Sequence, residues 1–151
     1  MVRSERTWSR VAVCLMALVF PMAAAADAPP SAVLGVKLIK LKSAQGRVGC
    51  TLYDKAEGFP KDAKGARQRR WCAIQSSQAT CRFDPIPHGT YAVACFHDEN
   101  ANGKLDTNLF GIPTEGTVAS NHAKGTLGPP SFKDAKFSFS GPAELTLNMS
   151  Y

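Results

Sequence analysis

The sequence predicts an all-β chain, a seven-stranded Greek-key β-sandwich carrying one long ordered loop. Three observations carry that expectation. Short alternating apolar segments recur between turn signals, four cysteines fall on or beside those segments, and no stretch reads as a convincing amphipathic helix. A length of 151 residues, 44% hydrophobic and 20% charged, suits one globular domain and excludes a disordered or collagen-like chain. Beyond the N-terminal region no apolar run reaches the roughly 18 to 20 residues that span a bilayer, which excludes a polytopic membrane protein.

Residues 1–26 read as an export signal. Arg3, Arg6 and Arg10 make a basic start, Val11 to Ala23 is apolar but interrupted by Pro21, and small residues end at Ala26, the expected cleavage point. Cys14 follows Val13 and not a small residue, so it is not read as a lipoprotein site. Residues 27–33 then form a short tail and residues 34–151 the sandwich, in a periplasmic or secreted protein with no transmembrane segment after cleavage. The mature chain keeps 15 basic and 11 acidic side chains, a mild +4. Export argues against nucleic acid as a partner and for oxidised cysteines, and Cys50, Cys72, Cys81 and Cys95 are an even set that permits three pairings.

Val33 to Lys42 alternates as a first strand, and Ser43 to Gly46 turns into a second, RVGCTLY, over 47–53. Residues 54–70 are polar and broken by Gly58, Pro60 and Gly65, so they read as a solvated loop with one helical turn. Trp71 to Gln75 and Ala79 to Phe83 read as a hairpin about Ser76 and Ser77. A two-residue turn pairs 75 with 78, 74 with 79, 73 with 80 and 72 with 81, which sets Cys72 against Cys81 at a closely spaced position and leaves Cys50 for Cys95. Residues 84–96, DPIPHGTYAVACF, give a proline-rich turn feeding a further strand, and this Pro-x-Gly-x-Tyr entry resembles the strand starts of transthyretin-like (prealbumin-like) sandwiches. Pro87, Gly89 and Tyr91 are therefore architectural, with Tyr91 hydrogen-bonded back to the turn and His88 facing solvent. The last strands are AKFSFS, 135–140, and AELTLNMSY, 143–151.

Residues 97–130 lack periodicity, and a stretch that long inside a domain is commonly functional or disordered. Its mixed composition favours an ordered loop. Asp98, Asn100, Asn102, Gly103, Lys104 and Asp106 match positions 1, 3, 5, 6, 7 and 9 of an EF-hand-like calcium loop, where side-chain oxygens alternate, glycine makes the sharp turn and position 7 offers its carbonyl. Position 12 is Leu109 instead of a bidentate acid, with Glu99 or Glu115 as substitutes that would have to fold back. The competing reading is that these Asx residues serve their own backbone. His97 and His122 bring imidazoles to the same segment. No nucleophile elbow, His-Glu-x-x-His pair or phosphate loop occurs, and disulfide formation removes a thiol nucleophile.

HDENANGKLDTNLFGIPTEG and SNHAKGTLGPPSF, with the Pro-x-Gly-x-Tyr strand and LYDKAEGFP before them, resemble the exported bacterial family catalogued as domain of unknown function 2141. The resemblance covers residues 34–151. It implies a small secreted or periplasmic β-sandwich with no established activity and no catalytic residues to transfer. It also marks His97, Asp98, Asn100, Asn102, Gly103, Lys104, Asp106, Asn108, Gly111, Pro113, Glu115, Gly116, Ser120 and Asn121 as the signature loop, and the cysteines as an elaboration.

The expected function is a non-enzymatic binding or structural module of the cell envelope, with Ca²⁺ held by Asp98, Asn100, Asn102, Lys104 and Asp106, and with His97, Asn108, Glu115 and Asn121 completing the binding loop. The alternative is a metal-dependent hydrolase using His97 and Asp98, with Glu115 at hand. A third reading attaches the basic run Lys61, Lys64, Arg67, Arg69 and Arg70 to an anionic membrane surface.

Overall fold

Alternation is the cause of the first strand, β1 (Ser31–Ile39), whose Leu34, Val36 and Leu38 are wholly buried. The computed structural model describes residues 29–151, so the expected export signal and Cys14 lie outside the described residues. β1 begins at Ser31, within the tail expected over 27–33. The second strand, β2 (Arg47–Tyr53), covers the expected residues and pairs antiparallel with β6 (Gly89–Asp98).

The basic stretch before Trp71 is only partly a loop. It holds one turn of 3₁₀ helix at Ala63–Gly65 and then enters β3 (Gln68–Cys72), three residues earlier than expected. β3 lies on β2, with Val48 opposite Cys72, but at Ala73 the chain crosses to the other sheet, where β4 (Ile74–Gln75) pairs with β5 (Gln78–Pro87). The turn between them has Ser76 and Ser77 at φ 49° and 57°, the backbone of a type I′ hairpin. The expected pairs 75:78 and 74:79 form, whereas 73:80 and 72:81 do not, because Cys72 is in register with Val48 in the opposite sheet. The Cys72 to Cys81 disulfide therefore ties one sheet to the other, with Cα atoms 5.5 Å apart, and does not staple a hairpin. Cys50 and Cys95 are direct neighbours on β2 and β6, 4.2 Å apart at Cα and joined by a second disulfide.

β5 also runs past its expected end at Phe83, through Pro85 to Pro87. Asp84 and Pro85 together face the single residue Val33, a bulge that removes the need for an N–H at the proline. Tyr91 Oη donates to the Pro87 carbonyl at 2.8 Å, fixing the turn into β6, and His88 is exposed there.

One sheet has the order β4-β5-β1-β9, with β9 (Ala143–Asn148) parallel to β1; the other has the order β3-β2-β6-β7, with β7 at Thr117–Ala119, and β8 (Phe137–Phe139) pairs the start of β6. Among the described residues nine strands replace the expected seven, because the crossing at Ala73 divides one strand in two and β7 emerges inside the aperiodic stretch, too short for its alternation to show. The single long loop of 97–130 is accordingly divided by β7 and by a 3₁₀ turn at Ser120–His122. A short helix, α1 (Phe132–Ala135), is capped by Ser131, whose hydroxyl accepts from the Asp134 N–H. Leu34, Val36 and Phe83 of one sheet and Val48, Leu52 and Val93 of the other share one buried core.

In the chain-entropy account the disulfides restrain loops whose ends are 45 and 9 residues apart, and their stabilisation is about 4 and about 3 kcal/mol. Urea melts are expected to show losses of that order for Cys50→Ala/Cys95→Ala and Cys72→Ala/Cys81→Ala. Non-reducing peptide mapping that linked Cys50 to Cys72 would contradict the architecture.

Candidate functional site: the Asp98 loop

β6 ends at Asp98, and the strand carries this carboxylate to full burial. A buried charge needs a counter-charge and hydrogen bonds. Arg47, directly opposite on β2, supplies Nε at 3.0 Å to Asp98 Oδ2, and the Gly103 N–H donates to the same oxygen at 3.0 Å. Among the described residues Asp98 Oδ1 has no hydrogen-bond partner, although it is buried. Gly46 permits this approach of chains: at φ +69°, a Cβ there would stand 2.0 Å from the Asp98 carbonyl oxygen.

Arg47 is itself held in a stack on the outer face of the sheet. Its guanidinium lies 4.0 Å from the Trp71 ring centroid and the Arg69 guanidinium 4.4 Å from the same centroid, while Phe96 meets Trp71 edge-on at 5.7 Å. Both arginines then reach the loop backbone, Arg47 Nη2 to the Ala101 carbonyl at 3.3 Å and Arg69 Nη2 to the Gly103 carbonyl at 3.2 Å. Gly49 lies between the rings, since a Cβ there would be 2.8 Å from both Phe96 and Trp71. Sequence reasoning missed this clamp. Its signal was there: Arg47 and Gly49 alternate on one face of β2, as Arg69 and Trp71 do on β3.

Within the loop, Asn100 Oδ1 accepts the Asn102 N–H at 3.0 Å and Asn102 Oδ1 accepts the Lys104 N–H at 2.8 Å, two successive Asx turns. The Asn100 and Asn102 amide groups donate to opposite oxygens of Asp106 at 2.7 and 3.0 Å. Gly103 has φ +82°, and Ala101, at φ 58°, holds a left-handed conformation that costs a non-glycine residue energy. Glu115, nearly buried, closes the base of the loop by accepting the Glu99 N–H and the Asp106 N–H, each at 2.9 Å. Asn108 builds the tip: its Oδ1 accepts from the Phe110 and Ile112 N–H groups at 2.9 and 3.1 Å, and its N–H donates to the Ile112 carbonyl. Asp98, Asn100, Asn102, Lys104 and Asp106 thus share one folded loop, tied together by Glu115.

His97 is placed differently. It is wholly buried, with Nε2 2.8 Å from the Gln45 carbonyl and Nδ1 2.6 Å from Tyr151 Oη. A carbonyl only accepts, so Nε2 carries the proton and Nδ1 accepts from the Tyr151 hydroxyl, which in turn accepts the Lys42 N–H. Both ring nitrogens are spent. Asn121 is engaged elsewhere, donating to the Asp134 and Lys136 carbonyls beside α1, and His122 Nε2 accepts the Asn148 N–H. Of the basic run, Arg67 pairs with Asp54, Arg70 with Asp84, and Arg69 faces the loop, so it does not form one free cationic surface. Among the described residues no group of three or more His, Cys, Asp or Glu side chains is placed to hold a metal, so any cation here would need amide and carbonyl oxygens beside its carboxylates.

Removing Arg47 strands a buried carboxylate, so Arg47→Ala is expected to cost about 3 kcal/mol, more than the Arg47→Ala/Asp98→Ala pair costs relative to Asp98→Ala alone. A double-mutant cycle by chemical denaturation checks this. Burial also raises the phenol pKa of Tyr53 and of Tyr151 above the ordinary value of about 10. Their contribution is then complete below the unfolded phenol pKa and is lost as pH rises through the folded one. Stability measured from pH 9 upward is expected to fall, and to fall less steeply in Tyr53→Phe.

Comparison with curated proteins and with solved structures returned no match. A family model described as an uncharacterised protein conserved in bacteria matches residues 36–146, which includes β2, β6, the Asp98 loop and Glu115. With most of its length covered by that match, the chain belongs to the bacterial family DUF2141.

Proposed function

We propose that the protein is a non-enzymatic, exported binding module of the cell envelope whose 98–115 loop is organised by a calcium ion. The observation that carries this reading is Asp98 Oδ1, buried and without a partner among the described residues, while Oδ2 is fixed by Arg47 and Gly103. An orphaned buried carboxylate oxygen is costly, and a hard cation is one way to satisfy it. Asn100 Oδ1 and Asn102 Oδ1 each cap one backbone N–H and keep a second lone pair. Asp106 would exchange its two amide donors for the ion, and Lys104 would offer its carbonyl. Glu115 stays with its two backbone N–H groups, and Leu109 supplies nothing at position 12. With one carboxylate already paired to Arg47, affinity belongs to the weak class of extracellular modules, roughly 10⁻⁴ to 10⁻³ M.

We read the two-sheet order as a transthyretin-like Greek key, an analogy that names no ligand. The hydrolase alternative draws no support from the geometry, because His97 has no free nitrogen and Asp98 is held by Arg47.

Adding calcium at about ten times its Kd to chelator-treated mature protein is expected to raise the melting midpoint by about 5 °C. Asp106→Ala is expected to abolish the shift. An unchanged midpoint for the unsubstituted protein would end the calcium reading.

A further inference from the structure

The tip of the same loop shows an unusual combination of exposure and order. Leu109 and Phe110 are 101% and 87% exposed, and Ile112 is 59% exposed. Exposed apolar side chains on a loose loop would fold back onto the sandwich. Here the backbone denies them that: Thr107 bridges Pro113, the Gly111 N–H donates to the Asn108 carbonyl, and Asn108 Oδ1 holds both the Phe110 and Ile112 N–H groups. Between Thr107 and Thr114 no side chain is charged; the flanking acids Asp106 and Glu115 are turned to hydrogen bonds within the loop, and Lys104, beyond Asp106, is exposed.

We propose that this tip inserts into the surface of a lipid bilayer, with Leu109, Phe110 and Ile112 as the buried anchors and Lys104 at headgroup level. The proposal deepens the function above and rests on its reading of the loop as a presenting surface; it names the partner. Three side chains of this kind offer on the order of 500 Å². That is short of the roughly 800 Å² that each member of a stable protein complex contributes. A small patch of this size offers little for another folded surface to grip, whereas acyl chains close around exposed side chains such as Leu109 and Phe110, and membrane affinity scales with the apolar area inserted. The order of the tip means that little conformational freedom is lost on insertion.

The test is flotation of the mature protein with vesicles of phosphatidylcholine, alone and mixed with phosphatidylglycerol, each in calcium and in chelator. Co-flotation is expected, stronger with the anionic lipid because of Lys104. It is expected to fall at least tenfold in Leu109→Ser/Phe110→Ser/Ile112→Ser, with the melting midpoint little changed because the hydrogen bonds that hold the tip use backbone groups and Asn108 and none of the substituted side chains. Phe110→Ser alone is expected to give an intermediate loss. No flotation of the unsubstituted protein in either buffer, or equal flotation of the triple variant, would overturn the proposal. Tip-dependent flotation that is indifferent to calcium, from a protein whose midpoint calcium does not move, would support the bilayer proposal while removing the cation.

Discussion

The buried carboxylate of Asp98 is the constraint around which this end of the molecule is arranged. A charge with no exposure is tolerable only where its surroundings supply compensating donors. β2 supplies Arg47, the loop supplies the Gly103 N–H, and the Ser43–Gly46 turn closes over the strand end through a glycine that has no side chain to obstruct it. Each contact recruits another. Arg47 is seated on Trp71, Trp71 orders Arg69, and Arg69 returns to the loop at Gly103. A segment with almost no apolar core of its own is therefore rigid because it is clamped to a sheet.

That sheet is in turn held by covalent and apolar terms that do not depend on the loop. Cys50 and Cys95 join β2 to β6, the two strands that present Arg47 and Asp98. Cys72 and Cys81 fasten the opposite sheets where the chain crosses between them. His97 contributes as architecture: with its ring buried between Gln45 and Tyr151, it links the turn before β2 to the final residue described. Both of its ring nitrogens are committed, whereas Asp98 in the loop that follows keeps a buried oxygen with no partner among the described residues.

Much of this was readable from residues alone, and the failures have physical causes. Alternation over 47–53 located β2 to the residue, because one face is wholly committed to the core. The Ser76–Ser77 turn and its first two pairs were visible for the same reason, while the crossing at Ala73 was not, since nothing in a local pattern tells which sheet a strand will join. β7 is three residues long and lies in a segment whose order comes from Asx turns and glutamate caps, neither of which has a hydrophobic period. The oxygen spacing of 98–106 was plain in the sequence. The Arg47–Trp71–Arg69 clamp was not, because it joins residues from two strands whose register only the fold sets.

What the loop holds can be seen directly. A crystal structure of the mature domain grown in calcium, with anomalous data, is expected to show an ion bonded to Asp98 Oδ1, to side-chain oxygens of Asn100, Asn102 and Asp106, and to the Lys104 carbonyl. Density for nothing but the Asn100 and Asn102 amides still donating to Asp106, with Asp98 Oδ1 left as it is, would contradict the account.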